Sequence, residues 1–531
     1  MILDARGLPE DAPLEADVCI AGAGAAGITL ARELGAAGVR VLLLESGGLE
    51  PDPDTQQLYA GENAAQPYFP LIACRLRFLG GTTNHWAGYV RPLDPHDFAE
   101  RPWIPASGWP FGADELAPWY ERAAPLLELE EPRWDAAFWA EAAGLTPLPL
   151  AADVFETRVF LRSPPTRMGS AYRSELEQSD AVRVVLHANL VEIATREPGA
   201  EVASLGLATL EGRRLRAVAR QYVLAAGGIE NARLLLASRP AGHAQGVGNA
   251  HDLVGRYFME HPHLISAFFL PTDPAEEALF YRTQRTDAGR FEGTLNLHPE
   301  VLRREKLHDV SITLVPTARR DPRLLEAETS AGITSLRALA QSARRRELPD
   351  DLSGHLWRVL RDLDDVAVAG LARFREDEVP GAMHKVFFRT EQAPNPESRV
   401  TLADERDALG MPRARLAWRL GDGDLRTLRR GHELLAREVG RAGLGRVFLP
   451  PEDPDRGWTH DIFSGNHHMG TTRMHADPRR GVVDPEGRVH GMVNLWIAGS
   501  SVFPCAGYAN PTLTIVALAL RLAARLRTAL R

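Results

Sequence analysis

The sequence predicts an α/β unit, built on a parallel sheet and discontinuous along the chain, joined to an α+β unit resting on an antiparallel sheet. Three observations predict it. An apolar run, a glycine-rich turn and a helical stretch follow one another at 17–38. The same order of strand, small residues and helix returns at 221–237 and again at 494–526. In between, from about 266 to 454, strand-like runs are interrupted by charged helical stretches. Strands alternating with helices imply a parallel sheet, whereas a mixed series implies an α+β arrangement.

A chain of 531 residues is too long for one simple core, so two or three domains are expected. Hydrophobic content of 44% and charged content of 25% are those of an ordinary globular protein. Lys+Arg is 61 against Asp+Glu at 70, a net charge of -9. Nucleic acid, which needs a basic footprint, is a poor partner for such a chain. Cys19, Cys74 and Cys505 are far apart and form no C-x-x-C. That argues against a disulfide framework or a thiolate metal site, and no metal is expected. The first residues are acidic and lack the basic and apolar regions of a secretory signal. Nor is any uncharged apolar run long enough to span a bilayer, so a cytoplasmic, non-membrane protein is expected.

Residues 17–21 (DVCIA) read as a buried strand, 28–38 (ITLARELGAAG) has helical spacing, and 39–45 is a second strand ending on Glu45. The turn between the first strand and the helix is Gly22-Ala-Gly24-Ala25-Ala-Gly27. A lone G-x-G-x-x-G is weak evidence. Placed between strand and helix, with an acid about 20 residues further on, it is the fingerprint of a dinucleotide site and a Rossmann-like unit. Gly22 permits the tight turn, Gly24 lets backbone approach a pyrophosphate, and Gly27 lets helix pack on strand. The helix N-terminus offers N–H groups to phosphate, and Glu45, followed by Ser46, can accept from ribose hydroxyls. This pattern alone leaves NAD and FAD open.

The stretch 75–79 (RLRFL) leads into Gly80-Gly81-Thr82-Thr-Asn84-His85-Trp86, a loop able to wrap a polar ligand. The Trp-rich segment 101–120 reads as packing of irregular chain. Strands are predicted at 181–186 and 189–193, and a hairpin over 205–218. The run 221–228 (QYVLAAGG), with Ala226 and Gly227 at its end, is a third strand-to-helix turn of the cofactor-adjacent kind. His261 and His263 flank Pro262, a spacing that suggests structural roles. Charged helices over 336–375 read as solvated faces.

Near the C-terminus His467 and His468 precede Met469-Gly470. Neighbouring side chains of an extended chain point apart, so only one of the pair is expected to reach a substrate. Asn510 precedes Pro511 and Thr512, at the start of a helix predicted over 511–526, where it reads as an N-cap. A helix end there would favour negative charge beyond Asn510. The chain is therefore divided into a cofactor-binding unit (1–60, 165–265 and 455–531), a loop region with a Trp/Pro-rich extension (61–164) and a substrate-binding unit (266–454).

Taken in order, GAGAAG with Glu45, GGTTNHW, AAGGIENARLLL, HHMGTTRM and AGSSVFPCAGYANPTLTIVALALRLA resemble the glucose–methanol–choline (GMC) family of FAD-dependent oxidoreductases. The motifs are most similar to the branch of pyranose oxidases and related sugar and glycoside oxidoreductases. The resemblance implies FAD as cofactor and a CH–OH donor oxidised by hydride transfer to flavin N5. It also implies oxygen or another electron acceptor and a possible homo-oligomer. It places the catalytic base on His467 and its partner on Asn510, with Gly499 and Ser500 among the FAD contacts. In some relatives a histidine of the flavin loop is bonded covalently to FAD, and His85 occupies that position. An FAD-containing lyase of the same family is the alternative the resemblance leaves open.

Overall fold

The computed structural model describes residues 1–10, 12–197, 199–273, 278–319, 332–333, 335–336, 339, 352–362, 379–449 and 462–531. Its first sheet has eight strands. Leu14–Ala21 lies between Val41–Leu44 and Arg214–Leu224, parallel to both. Val182–Leu186 and Ile2–Asp4 continue the parallel order on one side. On the other, Glu201–Ala208 and Asn189–Arg196 are antiparallel additions, the first of them closing the predicted hairpin. Leu495–Ile497 pairs parallel with the end of Arg214–Leu224, so the C-terminal stretch joins the sheet begun by the N-terminal one.

Burial explains why these strands read as apolar runs. Val18, Cys19 and Ile20 are fully buried, as are Leu42 and Leu43, because helices cover the parallel sheet. The helix Ala25–Ala36 packs against the C-terminal helix Thr512–Ala529. The latter buries Leu513, Val516, Ala517 and Leu520. Its buried Arg521 reaches Glu115 at 2.9 Å and Glu486 at 3.2 Å. No helix among the described residues is long and apolar enough to cross a membrane.

The second sheet has nine strands and is antiparallel throughout. Its order runs Gly445–Phe448, Pro262–Pro271, Val379–Thr390, Val310–Arg319, Gly289–Leu297, Phe155–Arg162 and Tyr89–Val90. Two short strands, Gln284–Thr286 and Phe463–Ser464, pair off this path. A third sheet of three strands joins Gly61–Asn63 to Arg399–Arg406 and Pro412–Ala417.

These pairings correct the expected boundaries. Tyr89–Val90 and Phe155–Arg162, assigned to an extension, belong to the antiparallel sheet; Pro262 starts it before residue 266, and Phe463–Ser464 enters it from the C-terminal segment. The reason is physical: an extended segment with unpaired backbone groups is taken up by whichever sheet edge is nearest in space, not in sequence. Most of the charged stretch 336–375 lies outside the described residues; within it Leu352–Arg361 is a helix. Trp109 packs on Phe98 and Phe503, with ring centroids at 5.5 and 5.2 Å, which is the packing role expected of the Trp-rich segment.

Candidate active site

A cavity of about 520 Å³ opens along the C-terminal ends of the parallel strands, where ligands of open α/β sheets bind. Ala21, Gly22, Gly24 and Ala25 line it from the first turn, Glu45 and Ser46 from the end of the next strand, and Ala226 and Gly227 from the third turn. Gly81, Thr82, His85 and Trp86 line it from the glycine loop, and Gly499, Ser500, Asn510, Pro511 and Thr512 from the C-terminal stretch.

Three predicted contacts act otherwise. Gly27 sits behind the turn: a Cβ there would lie 1.8 Å from the Gly22 carbonyl oxygen. Gly80 has φ +96° and stands against Gly169, and the Asn84 amide donates to the Leu79 carbonyl at 2.9 Å. All three shape the loops whose neighbours line the cavity. Glu45 is also partly committed, its carboxylate accepting from the backbone N–H of Ala23 at 3.0 Å and of Gly47 at 2.9 Å.

At the other end two histidine segments run antiparallel. Pro262 and His263 pair with Ser464 and Phe463, and Met259 bridges Met469. These anchors bring His261 against His467, with their Nδ1 atoms 2.8 Å apart. The His263 ring stands 6.1 Å from that of His467. Gly465 makes room for both: a Cβ there would lie 2.9 Å from the His263 ring and from His467 Nδ1. His261 and His263, expected to be structural, stand beside His467 because strand pairing across two hundred residues sets their position.

Asn510 Nδ2 donates to His467 Nε2 at 3.1 Å. The helix begins at Thr512, Pro511 stands at its cap, and no side chain caps it. The expected N-cap role of Asn510 is corrected: its carboxamide is turned to His467, and its Oδ1 is buried without a partner among the described residues. His468 points away from His467, packing against Tyr68 and Phe258 with centroids at 6.1 and 5.9 Å, while its ring still borders the cavity.

The hydrogen bonds assign a tautomer. His261 Nε2 lies 3.5 Å from the Ala506 carbonyl, which can only accept. With its proton there, His261 Nδ1 is an acceptor, so His467 Nδ1 carries the hydrogen of the bond between them. His467 Nε2 then carries the lone pair that accepts from the Asn510 amide at the edge of the cavity. Burial first, then His261, His263, Arg389 and His468, holds the His467 imidazole well below the ordinary histidine value. It is neutral near pH 7.

Glu260 lies beneath this pair. Its carboxylate accepts from the backbone N–H of His467 at 2.9 Å and of His261 at 3.2 Å, and from the Tyr68 hydroxyl. Burial pushes its carboxyl up to about 7. Glu260, Tyr68, His261, Arg77 and Arg389 are absent from the sequence-predicted site. None of them sits in a glycine motif, and only the three-dimensional pairing gathers them.

The lining fits a dinucleotide. Nothing lies within 4 Å of where a Cβ on Gly24 would be, so backbone there is open to a ligand. Arg77 borders the cavity with Nε and Nη1 buried and without hydrogen-bond acceptors among the described residues, the Glu230 carboxylate standing 3.7 Å from Nη1, and a pyrophosphate would match such donors. The family model described as FAD dependent oxidoreductase matches residues 17–346. The one described as GMC oxidoreductase matches residues 394–519. The chain belongs to the FAD-dependent oxidoreductases. It binds FAD and ends in the C-terminal domain of the GMC oxidoreductases.

The fructose dehydrogenase large subunit of Gluconobacter japonicus is 25% identical over 585 residues, covering 96% of this chain and 97% of that protein. The 6'''-hydroxyparomomycin C oxidase of Streptomyces lividus is 27% identical over 571 residues, covering 95% and 90%. The crystal structure of pyridoxine 4-oxidase from Mesorbium loti superposes with a TM-score of 0.56 at 17% identity, over 97% of this chain and 99% of that one. This FAD-dependent oxidoreductase thus shares the fold of that oxidase along nearly its whole length.

Proposed function

We propose that this enzyme oxidises a primary or secondary alcohol of a sugar, glycoside or related polyol, with His467 as the base. The observation that carries the reading is the His467–Asn510 pair at one end of the FAD cavity, with a lone pair on His467 Nε2. The relatives named as a fructose dehydrogenase and a 6'''-hydroxyparomomycin C oxidase support a sugar-like alcohol.

In this reading the substrate hydroxyl replaces the Asn510 amide as the partner of His467 Nε2 and gives it the proton. Asn510 Nδ2 donates to the same oxygen and fixes its direction, leaving Oδ1 for a neighbouring donor. Bound FAD would supply the hydride acceptor, with oxygen or another acceptor taking the electrons afterwards. His261 and the Ala506 carbonyl keep the Nδ1–H tautomer of His467, without which Nε2 has no lone pair to offer. His85 lines the same cavity, where it would meet FAD with or without a covalent bond to it.

Anaerobic mixing with monosaccharides, glycosides and simple alcohols tests the reading. At least one sugar-like alcohol is expected to bleach the flavin; bleaching by none of them while the yellow protein is intact rejects it.

Glu260 gives the reaction a pH dependence. Its carboxyl, pushed up to about 7, is neutral below that pH and charged above it. A negative charge beneath His261 and His467 favours arrival of the proton on His467. The rate constant of flavin reduction is therefore expected to rise through a limb near pH 7, and Glu260→Gln is expected to flatten it. A limb that survives unchanged in Glu260→Gln assigns the ionisation elsewhere.

A further inference from the structure

At the histidine end of the cavity stands a buried cation without a counter-ion among the described residues. Arg389, near the end of the strand Val379–Thr390, is only 5% exposed and lines the cavity. Its Nε and Nη1 are buried and have no acceptor among the described residues. Rings surround the guanidinium instead: Phe160 at 5.1 Å, Tyr89 at 5.6 Å and Phe387 at 5.6 Å. The nearby carboxylate of Glu292 is taken up by others. It accepts from the Thr283 hydroxyl at 2.7 Å and the Tyr89 hydroxyl at 3.0 Å, and it stands 3.7 Å from Arg162.

Two other buried arginines of the chain meet carboxylates. Arg101 meets Glu391 at 2.7 and 2.5 Å, and Arg233 reaches Glu230 at 2.7 Å and Asp407 at 2.5 Å. Burying a charge without a partner is costly, and a cation left without an acceptor on the lining of a cavity is one that a ligand can complete. Burial accordingly holds the Arg389 guanidinium below its ordinary value, in spite of Tyr89, Glu292 and Tyr508 nearby and with Arg162 opposing it further.

Position says what that ligand is. Arg389 is the direct cross-strand partner of His263, so their side chains share one face of the sheet. His263 in turn neighbours the ring of His467 at 6.1 Å. An anion on Arg389 therefore lies about one side chain from the base, on the substrate domain. A single planar guanidinium among aromatic rings suits a carboxylate, which it can grip through two parallel N–H groups.

We infer that the alcohol oxidised at His467 carries a carboxylate a few carbons from the reacting carbinol, and that Arg389 binds it. The substrate class is a sugar acid or glycoside acid. This rests on the alcohol-oxidising reading above.

The test compares D-glucuronate, D-glucose and D-glucose 6-phosphate with the FAD-loaded full chain, under anaerobic conditions. D-Glucuronate is expected to exceed D-glucose in kcat/KM by roughly tenfold or more, the worth of a charge-assisted pair. Arg389→Ala is expected to bring that ratio to near unity, and Arg389→Lys to restore part of it. A second readout needs no turnover. In His467→Ala, calorimetry is expected to give D-glucuronate a Kd about tenfold below that of D-glucose, and the added Arg389→Ala to erase the difference.

Bleaching by D-glucose as efficient as by D-glucuronate overturns the inference and leaves the alcohol-oxidation reading standing. A larger gain with D-glucose 6-phosphate overturns the carboxylate in favour of a phosphate ester. Loss of bound FAD from both Arg389 variants overturns it too, because the cation then serves the cofactor. Bleaching by none of the three overturns the sugar reading and the inference together.

Discussion

Gly27→Ala is expected to unfold the FAD domain at a temperature far below that of the unmodified protein. The added Cβ would sit 1.8 Å from the Gly22 carbonyl oxygen and 3.0 Å from its carbon. Both are backbone atoms, held by the strand Leu14–Ala21 and by the Gly22 N–H, which donates to the Leu44 carbonyl at 2.8 Å. No rotamer change relieves such a clash, so helix and strand must separate. The cost is roughly 3–5 kcal/mol, at the upper end for a single substitution. Gly24→Ala is the matched control. Its Cβ meets no protein atom within 4 Å, so the fold is expected to tolerate it while FAD, which must approach that backbone, is retained poorly. Thermal unfolding and the flavin-to-protein absorbance ratio separate the two. A Gly27→Ala protein with an unchanged transition temperature would mean that the turn is looser than described.

His467→Ala is expected to lower the rate constant of flavin reduction by about a thousandfold, with FAD content unchanged. Base catalysis by a placed imidazole is worth about 10²–10⁴-fold. His467 is held for that role at two points, by Asn510 at 3.1 Å on Nε2 and by His261 at 2.8 Å on Nδ1. The nearest ring, His261, faces it through Nδ1 and turns Nε2 toward Ala506, so it is not placed to take over. The glycine turns that line the cavity lie on other elements, which is why the flavin is expected to stay. Stopped-flow mixing under anaerobic conditions measures the rate directly; bleaching at the unmodified rate would remove His467 from the chemistry.

The glycine turns were legible in the sequence because their requirement is local. Gly22 has φ +112°, and a Cβ there would lie 2.6 Å from the Ala225 carbonyl oxygen, conditions that only glycine meets, so the residue type itself reports the geometry. Buried parallel strands were legible for a similar reason, since covering both faces leaves a continuous apolar run such as 41–44. His467 and Asn510 were placed by the resemblance of their motifs to a known family, and the residues alone left each with a plain structural reading.

What was not legible depends on pairing across long separations. His261 reaches His467 because Met259 bridges Met469 and His263 pairs with Phe463, and no spacing rule links those positions. Arg389 resembles any other arginine until the sheet sets it opposite His263 and leaves it without an acid. Tyr89–Val90 and Phe155–Arg162 read as connecting chain because short strands carry little periodic signal; the sheet edge they complete comes from elsewhere. Asn510 was misread as a cap for the opposite reason. Asn before Pro is a strong local signal, and here the bond to His467 outweighs it.

The most direct measurement is anaerobic single-turnover reduction of the bound flavin by the best alcohol of the panel, run in parallel with the same alcohol deuterated at its carbinol carbon. Single turnover excludes product release and reoxidation. Breaking of the carbinol C–H bond against the flavin predicts that deuteration slows the bleaching. Equal rates for the two alcohols would contradict the account.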